Sequence, residues 1–479
     1  MAVSRGPLSG VAGSSGVAGS RRHHRPRVGG GDLPTYTGPF GAEQAERLLW
    51  RAGFGPRTGE VEGLAALGLR GAVLSLTRPA SSVLEGPAPV TEEGQQIAPY
   101  TVWGHDVLWW LDRMVRTTAP FIERMTLTWH DWFATSNDGV GSHCLMLDQN
   151  ETQRRLSLGG FGDLLAAMTI DPAMLVFLSG TSNMKGAANE NYAREMQEIF
   201  TLGSGGGYDE RDVREHARAL TGWMCTWNQA TKEAEDFRYI PERHDSGMKV
   251  IYGKRGRFAW RDSLRLVLSH PSHPRHFVTK LWSYFSPEPL SAPDTRTAEA
   301  LYVSSGRQIR PLVEAMLMHP LLYEGPRLVK PPVVQIAGML RASGRYIDTV
   351  AWSALSNLAG QMPFYPPNVS GWDATRWLNT GTWLARFNLA NYVIGEQRAL
   401  VPNVAKGTVP ADPQALVDQA SAFWASPILG QASNTALLSY AQAVAVDLPK
   451  KRWEREQFPV MALNALRSLV TATPDYHAC

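Results

Sequence analysis

NENYAREMQEIFTLGSGGGYDERDVREHARALTGW, residues 189–223, decides the fold class. Two helices are predicted in it, over 191–202 and 209–225. The glycine-rich run 203–207 between them is short and flexible enough to reverse the chain. Asp209 and Glu210 open the second helix with acids suited to its positive end. Working outward, the same helical period governs the chain from about residue 40. Ala45, Leu48, Leu49 and Ala52 fall at i, i+3, i+4, i+7 and give one apolar face. Gly53-Phe54-Gly55-Pro56 stops that helix, and Thr58 is placed to cap the next, with Glu60 and Glu62 in its first turn. Pro120 and Pro172 read as first-turn prolines, the second behind an Asp171 cap. One strand pair is predicted, where Phe237, Tyr239, Val250 and Tyr252 flank a His244-Asp245-Ser246-Gly247 turn. The expected fold is mainly α: a multi-helix, bundle-like array with one small β-hairpin near 236–252.

Charge and composition narrow the function classes. The chain has 479 residues, with 47 basic and 44 acidic side chains. Five arginines and one aspartate lie in residues 1–35, which leaves 42 basic against 43 acidic in the remainder. The folded part is therefore nearly neutral, which argues against a nucleic-acid protein held by a basic domain surface. No run of about 18 apolar residues exists, so no transmembrane segment is expected. Three cysteines, Cys144, Cys225 and Cys479, exclude a disulfide scaffold and a zinc ribbon. The Gly/Ser/Arg-rich residues 1–35 lack any apolar period and are expected to be a disordered tail. Arg21-Arg22 is followed by His-His-Arg-Pro-Arg instead of an apolar stretch, so no signal peptide is recognised and the default location is cytoplasmic. The expected organisation is this tail, a helical core over 36–400, and a C-terminal helical appendage over 401–479 packed on the core.

Seven segments carry a family resemblance. They are LLWRAGFGP (48–56), WHDWFATS (129–136), NENYAREMQEIFTLG (189–203) and YDERDVREHARALTGW (208–223). HDSGMKVIYG (244–253), KLWSYF (280–285) and PPNVSGWDATRWLNTGTWLARFN (366–388) complete them. In this order they resemble the bacterial family known as domain of unknown function 1800. The resemblance implies a largely helical fold and supplies no established reaction. Genes of that family often neighbour those of a second family with twin-arginine export signals. This implies an envelope-associated partner protein and a shared envelope task. The family commonly has a second histidine where this chain has Trp132, proline where it has Ala188, and threonine at Val250. The first departure weakens a metal site built on two histidines of that helix.

The densest chemistry lies on the predicted helix pair. Glu195 and Glu198 are three apart and project from one face, as do Asp212, Glu215 and His216 on the second helix. Facing helices would present four carboxylates and an imidazole, a set suited to a divalent metal held by Glu195, Glu198, Asp212 and Glu215. Arg194, Arg211, Arg214 and Arg218 on the same helices offer the competing reading, an ion-pair network. A metal-free polar pocket is a third. His244 and Asp245 in the turn are catalytic candidates, with Lys249 beside them to bind an anionic group. Asn189 and Asn191 are read as helix caps or as substrate-orienting amides. Trp372, Asn379 and Arg386 are candidate substrate contacts in a tryptophan-rich segment, although core packing explains most tryptophans. Two functions follow. The first is an enzyme-like protein with a carboxylate and histidine cleft, hydrolysing a cell-envelope polymer or precursor with a divalent metal. The second is a non-catalytic helical scaffold for a neighbouring exported protein.

Overall fold

The computed structural model describes residues 32–231, 233–400, 409–446 and 451–479. They form a mainly helical protein whose strands are two separate antiparallel pairs. The first helix, Ala42–Arg51, buries Ala45, Leu48 and Leu49 as its period requires. It ends where Gly55 takes φ +77°, and a Cβ there would stand 2.5 Å from the Trp50 ring. The next helix, Glu60–Ala65, is entered through Gly59 at φ +82°, with no side-chain cap. Thr58 is therefore not its N-cap, because the chain turns in a left-handed step that glycine adopts without a Cβ penalty. Asp171 does cap Pro172–Phe177, accepting from Met174 N.

The strands depart from expectation. The helix predicted over 209–225 ends at Ala219, and Trp223–Trp227 is a strand, β1, paired with Ala234–Tyr239, β2. Gly222 stands at φ +112° between helix and strand, and a Cβ there would meet Tyr239 at 2.8 Å. The aromatic and β-branched run after it suits a pleated ribbon better than a further helical turn. The predicted hairpin over 236–252 is thus not formed. Phe237 and Tyr239 belong to β2, while Val250 lies in Lys249–Ile251, β3, which pairs with Lys254–Gly256, β4. The His244-Asp245-Ser246-Gly247 stretch connects the two sheets and is not the tip of a hairpin. The helix predicted over 191–202 is α-helical at Asn191–Glu195 and π-helical at Met196–Thr201.

Two apolar clusters hold these elements. One gathers Leu48, Phe121, Trp129, Trp132, Phe161, Phe277 and Tyr302. Phe277 stacks on Tyr302 at 4.3 Å, and the Trp129 and Trp132 indoles donate to the carbonyls of Ser157 and Phe200. Both large rings are therefore buried with their one donor satisfied. The other cluster joins Trp50 and Phe54 to Trp110, Trp352, Phe364, Trp424 and Tyr476. The C-terminal segment shares this second cluster with the end of the first helix. Among the described residues no helix is long and apolar enough to cross a membrane.

The expected tail over 1–35 lies, as far as Gly31, outside the described residues. Within the rest, Leu33 is buried in the first cluster and Tyr36 N donates to Met318 O at 2.8 Å. Truncation after Thr35 should therefore lower stability by about 2 kcal/mol relative to truncation after Gly31, the worth of one buried leucine. Urea unfolding of the two shortened proteins checks this, and equal midpoints would show that Leu33 contributes nothing.

Candidate functional site

The predicted carboxylates are drawn into structural duties. Asp209 accepts from Arg211 N and Asp212 N, and Asp212 Oδ2 accepts from Asp209 N, closing a capping box on the helix Glu210–Ala219. The other Asp212 oxygen accepts from Tyr252 N at 2.7 Å, and Glu215 accepts from Val250 N at 2.9 Å. These two acids pin the end of β3 to the helix. Tyr252 there has φ +49°, and its hydroxyl donates to Gln197 in the π-helical turn at 2.8 Å. Arg218 grips both oxygens of Glu215 at 2.8 and 2.9 Å and Asp245 at 2.7 and 3.3 Å. Its guanidinium holds the Asp245 carboxyl below its ordinary pKa. Arg194 is engaged by Glu190 and Glu210. Burial, and then the charge of Glu198, raises the Glu195 carboxyl. The four acids thus do not form one ligand set, and among the described residues no three His, Cys, Asp or Glu side chains converge as a metal would require.

The remaining candidates are held by different neighbours. His244 Nδ1 lies 3.1 Å from both the carbonyl and the hydroxyl of Thr221. Lys249 is buried and donates to the carbonyls of Asp245 and Gly247, so it closes the turn. Burial lowers its pKa, against the opposing pull of Asp245. Asn189 Oδ1 accepts from Asn191 N at 3.0 Å, a local turn that supports the helix start, and Asn191 is exposed. Trp372 is tied by its main-chain N–H to Asp131 at 2.8 Å. Asn379 accepts from Thr382 N at 3.0 Å, in the manner of a helix cap. Arg386 is buried and donates to Gln335, to Lys330 O at 2.8 Å and to Trp377 O at 3.2 Å. Burial lowers it to about 10.

A second constellation was not singled out from the sequence. Asp106 is buried at the start of the helix His105–Arg116, and its Oδ2 lies 3.0 Å from His143 Nδ1 and 3.4 Å from the Tyr365 hydroxyl. Burial raises the Asp106 carboxyl, opposed first by the His143 hydrogen bond. Asn137 Oδ1 accepts from Ser142 N, which turns its Nδ2 toward the Tyr365 hydroxyl at 3.3 Å and His143 at 3.2 Å. Nδ1 can donate to Asp106 or accept from Asn137 Nδ2, but not both. In the first tautomer the Nε2 lone pair of half-buried His143 accepts no hydrogen bond among the described residues. Phe364, adjacent to Tyr365, stands at φ +67°, a conformation that costs a bulky residue of the order of 1–3 kcal/mol. It is held from both sides, its N–H by His130 Nε2 at 3.1 Å and its carbonyl by Asn137 N at 2.9 Å.

These residues are framed by the segments that carried the resemblance, and the family model described as "Protein of unknown function (DUF1800)" matches residues 47–478. The chain belongs to this family. No curated protein and no solved structure matches it. The geometry gives the family segments physical roles. In WHDWFATS, His130 accepts from Phe364 N and is kept neutral by burial, which lowers it to about 3. Asp131 accepts from the Tyr284 hydroxyl at 2.6 Å and from Trp372 N. Trp132, where the family commonly has histidine, is buried under the Lys280 ammonium at 4.4 Å. Gly371 of the 366–388 segment has φ +84°, and a Cβ there would collide with Asp131. The two family segments are thus latched together, and the latch sets Asn137 beside Tyr365. Asn137 directly follows the first segment and Tyr365 directly precedes the second. That adjacency was the only sequence signal for the pair. Asp106 and His143 fall outside every motif.

Proposed function

We propose that this family member is an enzyme in which His143 acts as a general base held by Asp106. The observation that carries the reading is the buried Asp106 carboxylate 3.0 Å from Nδ1 of an imidazole whose Nε2 makes no hydrogen bond among the described residues. In a hydrolysis, Nε2 takes a proton from water as the water oxygen bonds to the electrophilic centre. The imidazolium then returns that proton to the leaving oxygen as its bond breaks. Asp106 stabilises the imidazolium, and Tyr365 and Asn137 fix the orientation of the pair. No step is routed through Glu195, Glu198, Asp212 or Glu215. The substrate, a cell-envelope polymer or its precursor, is carried into this proposal by the family resemblance alone.

A second reading, a non-catalytic scaffold for an exported partner protein, is favoured by the Arg218 clamp, which spends Glu215 and Asp245 on the fold. Two measurements separate them. In ¹⁵N-histidine-labelled protein, His143 should carry its proton on Nδ1, and Asp106→Asn should release that preference. Turnover of purified envelope polymer should fall by about 100-fold in His143→Gln. A His143 protonated on Nε2, or equal turnover by the variant, would remove the enzyme reading and leave the scaffold.

A further inference from the structure

We infer that the exposed face of Trp103 is the stacking platform of a sugar subsite beside His143, so that the substrate is a glycan. The inference rests on the enzyme reading and names its substrate class. Trp103 is 62% exposed, more than Trp227 and Trp383, which are also exposed, whereas Trp110, Trp129, Trp132, Trp282 and Trp352 are interior. A tryptophan left in water forgoes the apolar burial that the interior ones gain. Its position is fixed by a tight loop: Val102 N donates to Ala98 O, His105 N to Val102 O, and Ala98 N to His105 Nδ1 at 2.9 Å. The helix His105–Arg116 is then entered through Gly104 at φ +80°.

The indole meets the Tyr365 ring edge-on, with centroids 6.4 Å apart. The Tyr365 hydroxyl in turn reaches the Asp106 oxygen that holds His143. One side chain therefore separates the platform from the dyad. Tyr100 adds a second exposed ring on the same loop, at 54%. Burial raises the Tyr365 phenol, and the charges of Asp106 and of exposed Asp138 add to it. A pyranose has an apolar C–H face and a rim of hydroxyls. The face suits an indole plane, and the rim suits a carboxylate, a phenol and an imidazole at its edge. A lipid chain or an apolar peptide would leave those polar groups without partners on binding.

The test is an array of bacterial envelope oligosaccharides probed with the full chain, followed by titration calorimetry on the tightest neutral sugar. Trp103→Ala should bind it about tenfold more weakly and Trp103→Phe should recover part of the loss, with unchanged melting temperatures. No array binding, or equal binding by Trp103→Ala, would overturn the inference. Binding through Trp103 without any turnover would keep the sugar subsite and remove the enzyme reading. Turnover of a sugar-free substrate that is indifferent to Trp103→Ala would do the reverse.

Discussion

Replacing Asp171 by Asn should make the protein gain stability relative to wild type by about 3 kcal/mol as pH rises from 5 to 8. Asp171 is buried, and burial raises its carboxyl from 3.8 to about 7, with Asp148 adding repulsion. The proton is thus held by the folded state and lost by the unfolded chain across this window. The stability tied to that proton is fully present below about 3.8 and is lost as pH climbs through about 7. Asn removes the titration while its Oδ1 can still accept from Met174 N and Gln149 Nε2, the bonds that Asp171 makes at 3.0 and 2.7 Å. Every other titrating group is shared, so the difference between the two urea-unfolding curves isolates this one. Parallel pH profiles for variant and wild type would show that Asp171 is ionised throughout, stabilised by the cap it makes.

Replacing Arg218 by Met should destabilise the fold by about 2 kcal/mol. Side-chain exposures of 22% and 17% for Glu215 and Asp245 place the pair between surface and interior. The expected loss is accordingly below the roughly 3–5 kcal/mol of a fully buried pair. Removing the cation leaves two carboxylates facing each other, with the Glu215 oxygen that accepts from Val250 N among them. Asp245→Asn added to Arg218→Met should recover part of the loss by deleting one stranded charge. The acid limb carries a second signature. Arg218 holds the Asp245 pKa down, so its contribution is present above 3.8 and is lost as pH falls through the lower folded value. Arg218→Met should abolish that acid-side loss. Denaturant unfolding at pH 7 and pH 3 measures both, and a variant as stable as wild type would show that the clamp is decorative and weaken the scaffold reading.

Most helices were legible because one physical rule reaches them. Ala45, Leu48 and Leu49 must share a face at a period of 3.6, and the structure buries that face. The Asp171 cap was legible for the same reason, since a cap is a contact three residues away. The small sheets were misplaced because Trp223 and Cys225 fit a helical continuation as well as a strand, and only Gly222 at φ +112° forces the break. The carboxylates were visible as a set, but their partners were not. Nothing local says that Asp212 accepts from Tyr252 N, 40 residues on, or that Arg218 reaches Asp245.

By itself the sequence determined the α class, the apolar face of the first helix, the Asp171 cap, and membership of a family through seven ordered segments. It also determined that residues 189–223 would be rich in charge. Only the tertiary structure decided what that charge is for, because a carboxylate's role depends on which cation or amide it meets, and that is set by packing. It alone decided that His130 and Asp131 latch the 362–372 segment and hold Phe364 in a left-handed turn. The same latch joins Asp106 to Tyr365, 259 residues away. Helical periodicity is a local property that a single segment can express. A dyad is a distance between two side chains of about 3 Å, and only closure of the whole core sets it.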